Sequence, residues 1–303
     1  MVADRVRSAD SGMIGAAARS RSVPPRSVGE QIRIRDHPVI EVGPVSDITF
    51  TTAVLLCIAA GLAGWIDAVV GGGGLLQLPA LLIGLPDVSP TYALGTNKAV
   101  AVTGTSIAAV TYARRAPVDV RLALRLGAVA LAAAGGGALF ASAVDKRVLQ
   151  PLIMVALLAV AAFVFLRPQF GTASPGGTPS RRRAAAALLV VGVGIGFYDG
   201  ILGPGTGTFL VIALVALLHM NLLTASATAK VVNVGTNLGA LAVFAAGGTV
   251  LWRLAAGMAL FNMAGGWVGA HMALRRGSGF VRVVLLVVVA GLVARLAWDQ
   301  WGT

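Results

Sequence analysis

GLAGWIDAVVGGGGLLQLP, residues 61–79, decides the fold. An apolar run carries one carboxylate, Asp67, and four residues later meets Gly71-Gly72-Gly73-Gly74. Each glycine costs a helix about 1 kcal/mol relative to alanine, so four in a row predict a break. Apolar sequence then resumes at Leu75. The same order returns at residues 193–211, VGIGFYDGILGPGTGTFLV, with Asp199 four residues before Gly203-Pro204-Gly205-Thr206-Gly207. An apolar run, a buried acid, a glycine break and a second apolar run belong to a helix broken inside a membrane. There, irregular backbone survives only within protein or beside a water-filled cavity.

Composition agrees. Of 303 residues 57% are hydrophobic and 12% are charged, with 39 glycines. Soluble domains carry about 25% charged residues, so a water-soluble enzyme is excluded. Apolar runs lie at 48–70, 72–86, 91–113, 118–143 and 147–166, then at 184–202, 205–219, 222–246, 250–274 and 280–298. A bilayer crossing needs about 20 residues, and the second run of each half falls short of that. The expected class is an all-α polytopic membrane protein with about eight transmembrane helices and two short Gly-broken or re-entrant segments.

The net charge of +12 comes from 24 basic and 12 acidic residues, and only Lys98, Lys146 and Lys230 of the basic set are lysines. The arginines concentrate in residues 1–46 and between apolar runs, as the positive-inside bias of cytoplasmic loops demands. Eight crossings put the basic tail, Arg114, Arg115, Arg121, Arg167, Arg181–Arg183 and Arg253 on one side. That side is read as cytoplasmic, with Lys146 and Arg147 outside. Residues 1–46 are read as a disordered polar tail, and Met13 offers an alternative start. No basic stripe interleaved with aromatics points to nucleic acid. Cys57, alone in an apolar run, makes neither a disulfide framework nor a thiolate metal site. No metal motif is present, no cofactor is expected, and His219 and His271 read as interfacial and structural.

The halves form an internal repeat. Asp67 pairs with Asp199 and Lys98 with Lys230, both 132 positions apart, and no gap is needed from Gly64 to Leu166. About a fifth of the aligned positions are identical. The expected organisation is a first repeat over 47–168, a linker over 169–183 and a second repeat over 184–303. An even number of crossings per half makes the repeats parallel.

A charge at the bilayer centre costs at least about 2.5 kcal/mol, so Asp67, Asp199, Lys98 and Lys230 should face protein or a cavity. The lysines sit roughly 10 Å into their runs, at 1.5 Å per residue. Snorkelling is one reading of them. Their company argues for the other: Thr96 and Asn97 beside Lys98, then Thr228, Asn233, Thr236 and Asn237 around Lys230. Cations ringed by hydroxyls and amides suit a small oxyanion. Gly72, Gly73, Gly205 and Thr206 would add backbone N–H groups and positive helix ends to the same anion. Tight helix packing is the alternative role for those glycines. Asp67 and Asp199 either anchor the broken segments or carry a coupling proton.

These residues resemble the sulfite exporter TauE/SafE family, also called the 4-toluene sulfonate uptake permease family. The resemblance spans nearly all of residues 48–301. It rests on Ile66-Asp67-Ala68, Gly71-Gly72-Gly73-Gly74-Leu75-Leu76, Pro79 and Gly95-Thr96-Asn97-Lys98. In the second half it rests on Gly196-Phe197-Tyr198-Asp199-Gly200, Gly203-Pro204-Gly205 and Ala227-Thr228-Ala229-Lys230. It implies a secondary transporter of the inner membrane for small sulfur anions such as sulfite or sulfonates. Thr206 and Thr208 stand beside the second glycine cluster, where the first has none. The partners expected are the lipid bilayer and a small anionic substrate, with room for a coupling proton and a homo-oligomer. An anion channel and a membrane-embedded enzyme are the rival readings.

Overall fold

The computed structural model describes residues 48–145, 147–149, 151–153, 155 and 180–301. Side chains are described as far as Gly277 and at 279, 280, 283 and 284. The expected N-terminal tail, most of the 147–166 run and most of the linker lie outside these residues.

Helices account for the architecture, and no strand occurs among the described residues. In chain order they are α1 (Phe50–Val70), α2 (Gly74–Gly84), α3 (Pro90–Ala113) and α4 (Val120–Ala143). After the linker come α5 (Arg181–Ile201), α6 (Thr206–Leu218), α7 (Leu222–Ala246) and α8 (Trp252–Trp301). Four of them, α1, α4, α5 and α7, are long and apolar enough to cross a membrane. The 11 residues of α2 and 13 of α6 cover only about 15–20 Å at 1.5 Å per residue. That falls well short of a hydrocarbon core about 30 Å thick. The short second runs of each half are therefore short helices in the fold. Gly277, with φ 72° and ψ −167°, breaks α8 near its midpoint, where the sequence reading separates its last two runs.

The helix ends follow the local sequence. Thr49, Asp119 and Asn221 cap α1, α4 and α7, each accepting from the N–H three residues on. Such caps satisfy one of the four N–H groups a helix leaves over. Ser180 caps α5 in the same way, so Arg181–Arg183 form its first turn and not the end of a linker as the sequence suggests. A π-helical stretch, Leu188–Ile195, lies inside α5. His219 closes α6 in the left-handed conformation, its N–H donating to Val215 O at 3.1 Å. The sequence reading makes it an interfacial residue; here its backbone terminates the helix.

Packing runs between the halves. α1 docks on α8, where a Cβ on Gly265 would lie 1.9 Å from Gly61 O and one on Gly269 2.5 Å from Trp65 O. α5 docks on α4 in the same manner: a Cβ on Gly200 would lie 2.0 Å from Ala134 O and one on Gly137 2.2 Å from Phe197 O. These contacts need small residues, as helix association in lipid does. Alanines fill the interior, with Ala60, Ala63, Ala130, Ala134 and Ala138 fully buried, while Leu62, Leu124, Leu139, Leu189 and Leu260 are exposed. A surface of this kind would aggregate in water and is matched to lipid.

Candidate functional site

The two glycine breaks meet. Gly71, at φ 81°, ends α1, and its N–H donates to Asp67 O at 2.8 Å. A Cβ on Gly71 would lie 2.4 Å from the carbonyl carbon of Gly207 at the start of α6, so only glycine allows these backbones to touch. Thr208 Oγ1 ties the same junction, donating to Val70 O at 2.7 Å.

The last carbonyls of α1 accept from side chains of other helices, Asp67 O in addition to its bond from Gly71 N–H. Ala68 O accepts from Tyr112 Oη at 3.0 Å, Val70 O from Thr208, and Asp67 O from Lys230 Nζ. Lys230 thus places its positive charge at the negative end of a helix, where a cation is stabilised. In the second half Tyr198 Oη donates to Pro204 O at 2.7 Å, pinning the loop that follows α5.

The four intramembrane charges pair across the halves. Lys98 Nζ lies 2.8 Å from Asp199 Oδ2, and Lys230 Nζ lies 3.0 Å from Asp67 Oδ2. Neither lysine snorkels: they are 1% and 3% exposed. The oxygens of Asp199 are enclosed further, with Thr206 Oγ1 at 2.6 Å from Oδ1. Asp67 is looser, 18% exposed, with Thr105 Oγ1 at 3.4 Å from Oδ2. Asp199 thus reaches its own broken segment through Thr206, the Asp67 carboxylate is reached by Lys230 and Thr105, and each aspartate takes its lysine from the opposite half.

A small cavity of ≈ 30 Å³ lies between the breaks. Asp67, Lys98, Asp199 and Thr206 line it, as do Asn97, Asn233 and Asn237. Gly73 and Gly74 of the first break face Gly203 and Gly207 of the second across it. The starts of α2 and α6 thus converge on one space, with the N–H groups of Leu75, Leu76 and Thr206 already held by the carbonyls of Gly72, Gly73 and Gly203. Asn97 is buried at 4% exposure, and its Oδ1 has no hydrogen-bond partner.

Several expected site residues fall elsewhere. Thr96 turns to the far side of α3, where its Oγ1 accepts from Leu251 N at 3.0 Å. Thr228 is buried away from the cavity, and Gly72 and Gly205 do not line it. Lys230 reaches the site only through Asp67. Three polar lining residues, Gln77, Thr105 and Asn262, lie outside the site the sequence predicts. Asn262 Nδ2 donates to Ala60 O at 2.8 Å and to Gln77 Oε1 at 3.0 Å, joining α8, α1 and α2 beside the cavity. Their signal was available, since Gln77 and Asn262 are amides in otherwise apolar stretches.

The family model for sulfite exporter TauE/SafE matches residues 56–296, nearly the whole described region. A Sinorhizobium protein named "Probable membrane transporter protein ORF9" is 36% identical over 256 residues, covering 84% of this chain and 96% of the relative. A "Probable membrane transporter protein" of Haemophilus influenzae is 33% identical over 252 residues, or 82% of this chain and 95% of its own length. YfcA of Escherichia coli K12, named in the same terms, is 33% identical over 251 residues, 82% of this chain and 90% of its own. No solved structure gives a significant match. The glycine breaks, the intramembrane charges and these relatives agree, and the chain belongs to the sulfite exporter TauE/SafE family of multi-pass membrane proteins.

Proposed function

We propose that the protein is a secondary transporter of a small anion, of the organosulfur or sulfur-oxyanion class, held where two sequence repeats meet. The observation that carries this reading is the cavity between the two glycine breaks, with Lys98 and four carboxamide side chains besides Gln77 around it. Amide and backbone N–H groups bind oxyanions by charge-assisted hydrogen bonds, and a lysine point charge binds without locking the ligand in place. The mirrored packing of α1 on α8 and α5 on α4 supports the repeat. So do the exchanged pairs, in which each half lends its lysine to the other's aspartate. Two halves able to rock about such an interface could open the cavity to each side in turn. The membrane is the plasma or inner membrane, with the N-terminus cytoplasmic.

The test is a panel of sulfite, methanesulfonate, sulfoacetate, sulfate and acetate added to the purified full chain, read by thermal unfolding. A ligand at 100 times its Kd stabilises by about 2.7 kcal/mol. Stabilisation by one sulfur anion, lost when Asn237→Ala and Asn97→Ala are combined, supports the reading. No shift with any anion at tens of millimolar overturns it.

A further inference from the structure

The two ion pairs are built differently. Lys98 and Asp199 are 1% and 2% exposed, and Thr206 holds the second carboxylate oxygen. A Cβ on Gly203 would lie 2.8 Å from Lys98 Nζ and 3.3 Å from Asp199 Oδ1, so backbone closes over the pair. Both aspartates border the cavity, but Asp67 is 18% exposed. Both side-chain hydrogen bonds to its carboxylate reach Oδ2, from Lys230 and Thr105, and Oδ1 has no partner among the described residues. Lys230 has a second anchor in the Asp67 carbonyl, which does not depend on the carboxylate's charge.

Resting on the transporter reading above, we infer that Asp67 is the carboxylate that exchanges partners, taking one proton per cycle and thereby fitting the cavity to one monoanion. The proton settles on Oδ1, the oxygen without a partner. Lys230 stays charged and stays in place, held by the carbonyl at the end of α1, but its counter-ion is gone. Two ammonium groups and two carboxylates sum to zero; one added proton makes the site +1, and one bound monoanion returns it to zero. A dianion would leave a net negative charge in a low-dielectric site, which is strongly disfavoured. The substrate class is accordingly a singly charged sulfonate or hydrogen sulfite, carried with one proton and no net charge.

The groups facing Asp67 are few. α7 contributes Lys230; α3 contributes Lys98 to the cavity and Tyr112, whose hydroxyl is committed to Ala68 O. α5 contributes Asp199, already paired. α2, α6 and α8 line the cavity with Gln77, Thr206 and Asn262, none of them charged. Of the two acids there, Asp199 has Thr206 on Oδ1 and Lys98 at Oδ2, whereas neither a lysine nor a hydroxyl among the described residues reaches Asp67 Oδ1.

The experiment uses the full chain in liposomes, with methanesulfonate as monoanion and sulfate as dianion. An electroneutral one-to-one carrier accumulates methanesulfonate about tenfold per unit of inward pH gradient, because each tenfold ratio balances one tenfold proton ratio. It gives no response to a potassium–valinomycin potential and accumulates no sulfate. Asp67→Asn should retain measurable methanesulfonate counterflow while losing accumulation driven by the pH gradient. The charge-neutral double variant Asp67→Asn with Lys230→Gln should elute as wild type in size-exclusion chromatography but lose both accumulation and counterflow, because a bound monoanion would leave its site at −1. Gradient-driven accumulation in either variant, or a response of wild type to potential, overturns the role of Asp67 while leaving anion transport intact. Absence of any anion flux in wild type overturns both.

Discussion

Removal of one partner from the Lys98–Asp199 pair should destabilise the protein severely, and removal of both should not. The pair is enclosed at 1% and 2% exposure with a 2.8 Å separation. Lys98→Met leaves Asp199 with Thr206 as its remaining polar neighbour and no counter-ion. An unpaired buried charge costs about 3–5 kcal/mol, whereas a neutral replacement of the whole pair is often close to energetically silent. At 2–4 °C per kcal/mol for a protein of this size, Lys98→Met should lower Tm by roughly 10 °C. Lys98→Met combined with Asp199→Asn should recover most of that loss, to within about 1 kcal/mol of wild type. The assay is thermal unfolding of the purified chain in one detergent, run as a double-mutant cycle. A single variant within about 1 kcal/mol of wild type, or a double variant showing the sum of both losses, would refute the pairing. The same cycle separates roles, because a stable double variant without transport assigns Lys98 to the substrate as well as to the fold.

Three further outcomes follow from the same geometry. Gly71→Ala places a Cβ 2.4 Å from Gly207 at a φ of 81°, and should collapse the yield of monodisperse protein in size-exclusion chromatography. Gly72→Ala, whose nearest neighbour would be the Leu75 side chain at 3.4 Å, should not. Thr206→Val removes the hydroxyl from Asp199 Oδ1 and should cost about 1–3 kcal/mol in thermal unfolding, since a buried acceptor loses its donor. Asn97→Ala takes away a side chain whose Oδ1 has no partner among the described residues, so Tm should fall by no more than about 2 °C, under about 1 kcal/mol. Its apparent anion affinity should fall about tenfold, the value of one hydrogen bond to a charged group, as read by titrated counterflow.

Much of this architecture was legible because lipid makes polarity conspicuous. Asp67, Asp199, Lys98 and Lys230 stand out in apolar runs, and the glycine clusters mark where α1 and α5 end. What one sequence does not reveal is which residue faces which across the two halves, so the exchange of lysines between aspartates appears only in three dimensions. Thr96 and Thr228 were drawn in by proximity to the lysines. On a helix, adjacent positions point about 100° apart, and the lining residues of α3 follow Asn97, Ala101 and Thr105 at steps of four, with Lys98 on the same side. Asn233 and Asn237 repeat that step on α7. Gln77 and Asn262 belonged with the intramembrane charges, being amides where no water can satisfy them. Neither has a counterpart of its own kind 132 residues away, so the repeat does not mark them.

If the cavity between the glycine breaks is the transport site, the protein carries an anion across a membrane through it. The direct measurement is uptake of labelled methanesulfonate or sulfite by liposomes holding the full chain, against protein-free liposomes and the Asn97→Ala, Asn237→Ala double variant. Saturable uptake by wild type, reduced at least tenfold in the variant at equal protein incorporation, is the predicted result. Uptake no faster than protein-free liposomes for every sulfur anion, or equal in wild type and variant, would contradict it.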